Sequence, residues 1–280
     1  MRAIAENGAV PPDGTSLSPE RRRLRHWLRL VVVGWWLQMK ILLWSGWGAL
    51  LHAVVPLFFA SAAFLIFRQS KDPQTLVFAG LGAAIMGTWS SVVSTASALL
   101  QSERSQQTLE LLVSAPAPFA MVLMPVTSAM ATVAAYSVVA TLVWARFVFH
   151  IVIPIHEPVL FVVGLAATIV AVSMFGFLLA IAVVRYRAAW TIGTLLAPVG
   201  YLLCGLLFPL ALLPGWVKGI SYVLPPTWGV SAMRAAAAGD APWVDLGTCV
   251  LLGLVYAVAG TIGGEAVLRS ARKNATLSLV

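Results

Sequence analysis

Val159 to Val184 reads VLFVVGLAATIVAVSMFGFLLAIAVV, a run without one charged side chain, closed by Arg185-Tyr186-Arg187. A helix needs about 20 apolar residues to cross the ~30 Å hydrocarbon core of a bilayer. Inside that core every backbone N–H and C=O must be satisfied within the protein, so a spanning segment is a helix or part of a closed barrel. The run is continuously apolar rather than alternating over ten residues, which is the helical pattern. Similar runs lie on both sides of it, at roughly Gly46 to Phe67, Thr75 to Leu100, Phe119 to Phe149, Trp190 to Leu213 and Val244 to Leu268. Hydrophobic residues make up 60% of the chain and charged residues 10%, against roughly 25% charged in a soluble domain. The expected fold class is an all-α integral membrane protein with six transmembrane helices, filling residues 46–268 and leaving no soluble domain.

The polar pieces between these runs set the expected topology. Residues 1–19 are polar, carry Pro11, Pro12, Gly14 and Pro19, and have no apolar core of the secretory kind. They read as a disordered cytoplasmic segment. ERRRLRHWLRLVVVGWWLQMK, 20–40, places Arg21, Arg22, Arg23, Arg25 and Arg29 beside Trp27, Trp35 and Trp36. Arginine binds anionic headgroups and tryptophan prefers the interface, so 20–45 is expected to be an interfacial amphipathic helix in contact with membrane lipids. The alternative is a basic anchor that begins the first span.

With six spans both termini share one side. That side carries Arg2, Arg21, Arg22, Arg23, Arg25, Arg29, Lys40, Arg104, Arg185, Arg187, Arg269, Arg272 and Lys273, and the other carries Arg68, Lys71, Arg146, Lys218 and Arg234. The thirteen-to-five excess places both termini in the cytoplasm and 269–280 as a cytoplasmic tail of a multi-pass plasma-membrane protein. The net charge of +8 is accounted for by span ends, so no nucleic-acid partner is expected. The halves show no internal repeat, which weighs against an inverted-repeat secondary transporter.

Function must lie in the few polar groups left. QSERSQQTLELLVSAPAP, 101–118, mixes Glu103, Arg104 and Glu110 with Leu109, Leu111, Leu112 and Val113, and reaches Pro116. Its composition fits a short amphipathic helix on the cytoplasmic membrane surface, at about 101–116. A partner could grip its polar face, or the helix could simply join two spans. Residues 214–242 are half apolar and broken by Pro and Gly. Prolines free backbone groups that lipid cannot satisfy, so this segment must be buried in protein or line a wet cavity. Ala83, Gly87, Ser91 and Thr95 lie four apart, a small-residue stripe that permits close helix approach. Gly253, Ala257, Gly260 and Gly264 form a looser one, read as internal packing.

Intramembrane ionisable groups are few. His52 reads as a satisfied polar residue, and Glu265 with Arg269 as a helix-surface pair at i,i+4. Cys204 and Cys249 lack metal-ligand or CxxC spacing and read as small core hydrophobes. There is no GxxxxGK[ST] phosphate loop, HExxH, GxSxG or clustered carboxylate pair. No catalytic, cofactor or metal residue is assigned, and the chain is not expected to be an enzyme.

ERSQQTLELLVSAP resembles the E…GTLE-LL-xxP stretch of ABC transporter permeases of the type-2 export class. Glu103, Thr108, Leu109, Glu110, Leu111, Leu112 and Pro116 fall in step, with Gln107 where that family usually has Gly. CGLLFPLALLPGWVKGISYVLPPTWGVSAMR resembles the same family's G-xxFP-xxxLP-…-PxT-…-R region through Gly205, Phe208, Pro209, Leu213, Pro214, Pro225, Thr227 and Arg234. The resemblance covers about Trp44 to the C-terminus. It implies that Glu103 to Pro116, Arg104 included, is a coupling helix docking into a separate ATP-binding subunit, where ATP and Mg would be held. It implies a second permease subunit, identical or related, with the second and fifth spans facing it across the path. Ala83, Gly87, Ser91 and Thr95 would then be path- or dimer-facing, with Thr88, Ser94 and Thr194 as further sparse polar points. Phe208, Leu212 and Leu213 would stand at an apolar outer gate, with Pro209 beside them on the same path or dimer face. Pro225, Thr227 and Arg234 would belong to a re-entrant hairpin before the last span. The implied activity is ATP-driven export of an amphiphilic or hydrophobic molecule such as a drug, antibiotic or lipid. The alternatives are a polysaccharide or lipid-linked glycan export permease and, from other classes, a secondary transporter, a membrane-embedded enzyme or a scaffold.

Overall fold

The computed structural model describes residues 19–44, 46–67, 73–105, 119–150, 155–185 and 189–274. Among these the regular structure is all helical. α1 is Pro19–Trp44, α2 Gly46–Phe67, α3 Pro73–Ser105, α4 Phe119–Phe147, α5 Pro158–Arg185 and α6 Ala189–Leu203. A single 3-10 turn, Leu210–Leu212, precedes α7 Gly215–Ser221, α8 Pro225–Ala238 and α9 Trp243–Asn274. Proline begins α1, α3, α5 and α8, where its fixed φ suits the first turn and its missing N–H is an orphan anyway. α8 stops at Gly239, whose φ of 90° is a left-handed cap that costs glycine little.

Four described segments are long and apolar enough to cross a membrane: Thr75–Ser94, Met124–Phe147, Pro158–Ala182 and Trp243–Ala266. Val54–Phe67 in α2 is a shorter apolar stretch. The expected fifth span, 190–213, departs from expectation. Its helix, α6, has 15 residues, a rise of roughly 22 Å. The chain leaves it at Cys204 and turns at Gly205, whose φ is +66°. Pro209 and Pro214 then bracket the 3-10 turn, so a helix through Leu213 is closed off by three residues that cannot continue it. The broken 214–242 region is a helix–turn–helix of α7 and α8.

The level of side-chain contacts gives the helix directions. Pro56 meets Gly87 near Ser137, Trp144 reaches Ser61, and Phe64 packs on Phe149, so α2 and α4 advance together. Trp89 stacks on Phe175, while Gly253 meets Ala171 and Gly260 meets Phe177, so α3, α5 and α9 run alike. α6 opposes α3, because Gly82 meets Leu206 whereas Trp89 meets Gly200 and Leu196. Pro56 meets Gly87 whereas Phe64 clusters with Ala79 and Ala83, so α2 opposes α3, and α2 to α6 and α9 alternate in direction.

α3 is the centre of the bundle. Leu81, Ile85, Met86, Trp89, Val92 and Val93 are buried among α2, α4, α5, α6 and α8. α9 is peripheral: Gly253 and Gly260 press on α5, while Leu251, Leu254, Val258 and Ile262 are exposed. An apolar outer face of this kind is the lipid-facing side of a membrane helix. α1 docks on the first half of α4. Gly34 lies against Pro125, and Trp35 Nε1 donates to Thr132 Oγ1 at 3.2 Å.

Candidate functional site

The polar contacts of the bundle concentrate where the α7–α8 hairpin meets the start of α3 and the end of α6. Helix α8 carries Arg234 one turn before its end. The guanidinium donates to three carbonyls: Phe78 in α3 at 3.0 Å, Gly205 at 3.2 Å and Leu206 at 3.3 Å. Its carbon also lies 3.4 Å from the centroid of the Phe78 ring, a cation–π contact. Among the described residues it has no carboxylate partner. Nε is buried and makes no hydrogen bond.

The carbonyls are available for a local reason. α6 ends at Leu203 and the Gly205 turn leaves the next carbonyls without helical donors. Gly82 lets α3 reach them: a β-carbon there would sit 1.9 Å from Leu206 O and 3.1 Å from Arg234 Nη2.

The hairpin is also fixed to α5 and α9. Thr227 Oγ1 donates to Ser221 O at 2.7 Å, tying α8 to α7. Tyr256 of α9 donates to the Val223 carbonyl in the hairpin turn. Ser231 donates to Asp245 at 2.5 Å. Gly229 lies against Thr168, 2.2 Å from its hydroxyl by a β-carbon's measure. The segment before α5 caps the end of α8: His156 N and Glu157 N donate to Ala237 and Ala236 carbonyls. His156 Nδ1 also pairs with Ala237 O at 2.7 Å, which makes Nδ1 the donor. Pro225 and Thr227, expected hairpin residues, are both buried here.

A second polar cluster lies at mid-length of α3. Ser137 Oγ donates to Ala84 O at 2.7 Å, which leaves Thr88 to donate to Ser137 Oγ at 3.1 Å. Both side chains are buried. Gly87 sits against Pro56 and Ser137, and Ala83 is fully buried beside α2. These members of the small-residue stripe are thus in contact with other helices of the same chain. Ser91 is half-buried and Ser94 exposed. The side chains of Thr95, Thr194 and His52 lie outside the described residues.

Phe208 and Leu212, expected at the gate, are 48% and 74% exposed. Pro209 is exposed and Leu213 half-buried. Glu103 and Arg104 belong to the last turn of α3, their side chains outside the description, and Thr108, Leu109, Glu110, Leu111, Leu112 and Pro116 lie outside the described residues. Cys204 and Cys249 are buried, and Glu265 pairs with Arg269 at 2.9 Å on the surface. Among the described residues no group of His, Cys, Asp and Glu is placed to hold a metal ion.

Sequence reasoning missed Phe78, Gly82, Trp89 and Gly200. A β-carbon at Gly200 would stand 2.3 Å from Trp89 Nε1, so the nitrogen edge of the indole reaches the α6 backbone, where it donates to Leu196 O at 3.4 Å. The stripe at Ala83 and Gly87 drew attention one residue away from Gly82. The available signal was the i,i+4 pair of Phe78 and Gly82, a bulky ring one turn from a gap.

A comparison with curated proteins gives no match. A family model described as ABC-2 type transporter matches residues 30–237, a region that contains α2 to α7, all but the last residue of α8 and the Arg234 contacts. That match spans well over half of the chain, which therefore belongs to the ABC-2 type transporter family and is a membrane permease component.

Proposed function

We propose that this chain is the permease half of an ATP-driven exporter of amphiphilic or hydrophobic molecules, working with a second permease subunit and two copies of a separate ATP-binding chain. The observation that carries this reading is the continuity of α3. It is 33 residues long, touches the hairpin at Phe78 and Gly82, and ends at Ser105, with Gln106 and Gln107 between it and TLELLVSAP. ATP binding in the partner, with its Mg, would displace Glu103 to Pro116 and so move α3. The alternating helix directions and the thirteen-to-five distribution of basic residues support cytoplasmic termini in the plasma membrane.

α6 packs chiefly on α3 and leaves Leu195, Val199 and Leu202 exposed, continued by Phe208 and Leu212. This apolar face suits contact with the second permease and with an apolar substrate; Ser91 and Ser94 supply sparse polarity beside it. The test is capture of the chain from its native membranes in mild detergent, with partners identified by mass spectrometry. A stoichiometric chain carrying a phosphate loop supports the proposal. Its absence after crosslinking would remove the ATP-driven reading. For the substrate class, ATP hydrolysis by the reconstituted complex should rise with amphiphilic cations or lipids and not with soluble oligosaccharides.

A further inference from the structure

Two groups of helices share the hairpin. α8 is packed along α5 and pinned to α9 through Gly229, Tyr256 and Asp245. Its polar attachment to α3 is Arg234, which also reaches the Gly205 and Leu206 carbonyls after α6, where Thr227 of α8 meets Cys204 as well. The contact on α5 is steric, while the α9 side is held by the Ser231 bond to the Asp245 carboxylate and the α3 and α6 side by the bonds of Arg234, so each side has a charge-assisted attachment of its own. All three Arg234 acceptors are main-chain carbonyls, so the contact reports backbone position rather than the rotamer of a partner side chain.

Gly82 and Arg234 depend on each other. The missing side chain at Gly82 admits Nη2 to the Phe78 carbonyl and brings Leu206 within reach of the same nitrogen. A lysine cannot replace this arrangement, because one ammonium is a point donor without a planar fork. α3 has no proline after its first residue and is one unbroken helix from Pro73 to Ser105. A displacement at Ser105 is then delivered to Phe78 about 40 Å away by a single helix.

We propose that Arg234 is a positioning residue, a latch that makes the α7–α8 hairpin and the 205–213 turn follow α3, through its bonds to Phe78, Gly205 and Leu206 across the gap at Gly82. This rests on the permease reading above, since it is the partner's ATP cycle that would move α3. With the latch broken the hairpin stays on α5 and α9 and no longer follows α3. Loss of the side chain by misfolding would instead loosen α9 as well.

The experiment is backbone hydrogen–deuterium exchange on the full chain copurified with its ATP-binding partner in lipid nanodiscs, without nucleotide and after trapping with ATP and vanadate. In the wild type, trapping should alter exchange at 99–105 and at 205–213 together. In Arg234→Met the response at 99–105 should persist and that at 205–213 vanish. Exchange of 205–213 without nucleotide should also rise about tenfold, with 244–262 unchanged. Arg234→Lys, which keeps the charge and is the variant to use if the methionine form does not assemble, should lose most of the response at 205–213. A wild-type response at 205–213 in either variant overturns the latch while leaving the permease reading intact. No response to nucleotide at 99–105 in the wild type overturns the permease reading and the transmission with it. The nucleotide-free exchange still decides whether Arg234 holds the turn.

Discussion

Gly82 and Leu206 meet backbone to backbone: a β-carbon on the glycine would stand 1.9 Å from the leucine carbonyl oxygen. That carbonyl belongs to a turn held by Arg234, so it cannot retreat without giving up a charge-assisted bond. Gly82→Ala is therefore expected to destabilise the folded chain by at least ~1–3 kcal/mol, the range for overpacking a close contact. Gly215→Ala is the control, because nothing lies within 4 Å of the added methyl. Thermal unfolding in detergent, followed by size-exclusion recovery, checks the pair. Equal midpoints for the two variants would contradict the close approach.

Gly260 and Phe177 test the α5–α9 seam in the same way. A β-carbon at Gly260 would fall 2.4 Å from the Phe177 ring. Gly260→Ala alone should destabilise, and Phe177→Ala alone should leave a cavity. The double variant is expected to be at least ~1 kcal/mol more stable than the sum of the two predicts, since the new methyl enters the emptied space. Denaturant titration of the four proteins measures this coupling; strict additivity would place the two residues apart.

Ser137→Ala removes the donor to Ala84 and the acceptor for Thr88 in the buried middle of α3 and α4. Interhelical hydrogen bonds in membrane proteins average about 0.6 kcal/mol, so the expected loss is small, about 1 kcal/mol. Ser137→Leu is expected to cost more, because the Ser137 β-carbon is already 3.0 Å from where a Gly87 β-carbon would stand. Stability of the two variants in a single detergent series gives the ordering; a leucine form as stable as the alanine form would refute it.

Glu110→Lys and Leu111→Asp are expected to uncouple transport without unfolding the permease, since both lie in the stretch proposed to grip the ATP-binding chain. Export should fall to background in both, while yield and size-exclusion profile stay those of the wild type. Normal export in both would mean that the coupling stretch is elsewhere.

Leu254 is exposed on the outer face of α9, while Cys204 and Cys249 are 1% and 0% exposed. A maleimide spin label is expected to react with Leu254→Cys and to leave the native thiols untouched in the folded protein. The label at position 254 should be accessible to oxygen and shielded from a water-soluble nickel complex, as lipid contact requires. Labelling of the native cysteines at a comparable rate would show that the core is open.

The run at 159–184, the sparse charges and the prolines of 209–226 were enough to announce a helical membrane protein with a broken segment before its last helix. Hydrophobic length and backbone satisfaction are properties of local sequence, which is why α3, α4, α5 and α9 were legible. The bland readings of the two cysteines and of Glu265 with Arg269 rested on equally local facts, burial in an apolar run and i,i+4 spacing. The end of α6 at Leu203 was not legible. The run through Leu213 is apolar enough to be a span by composition, and the positive φ of Gly205 is a feature of the folded turn.

The sequence by itself determined the class of solvent this chain lives in, its helical character and the resemblance that its family membership bears out. Only the tertiary structure decided what the small and polar residues do. It set Gly82 rather than its neighbours at the tightest crossing, turned Thr88 and Ala83 into intrachain contacts, and brought Arg234 to carbonyls 28, 29 and 156 positions away. Those pairings depend on helix rotation and level, which long-range packing selects among many registers of similar apolarity, and one sequence carries no local mark of that choice.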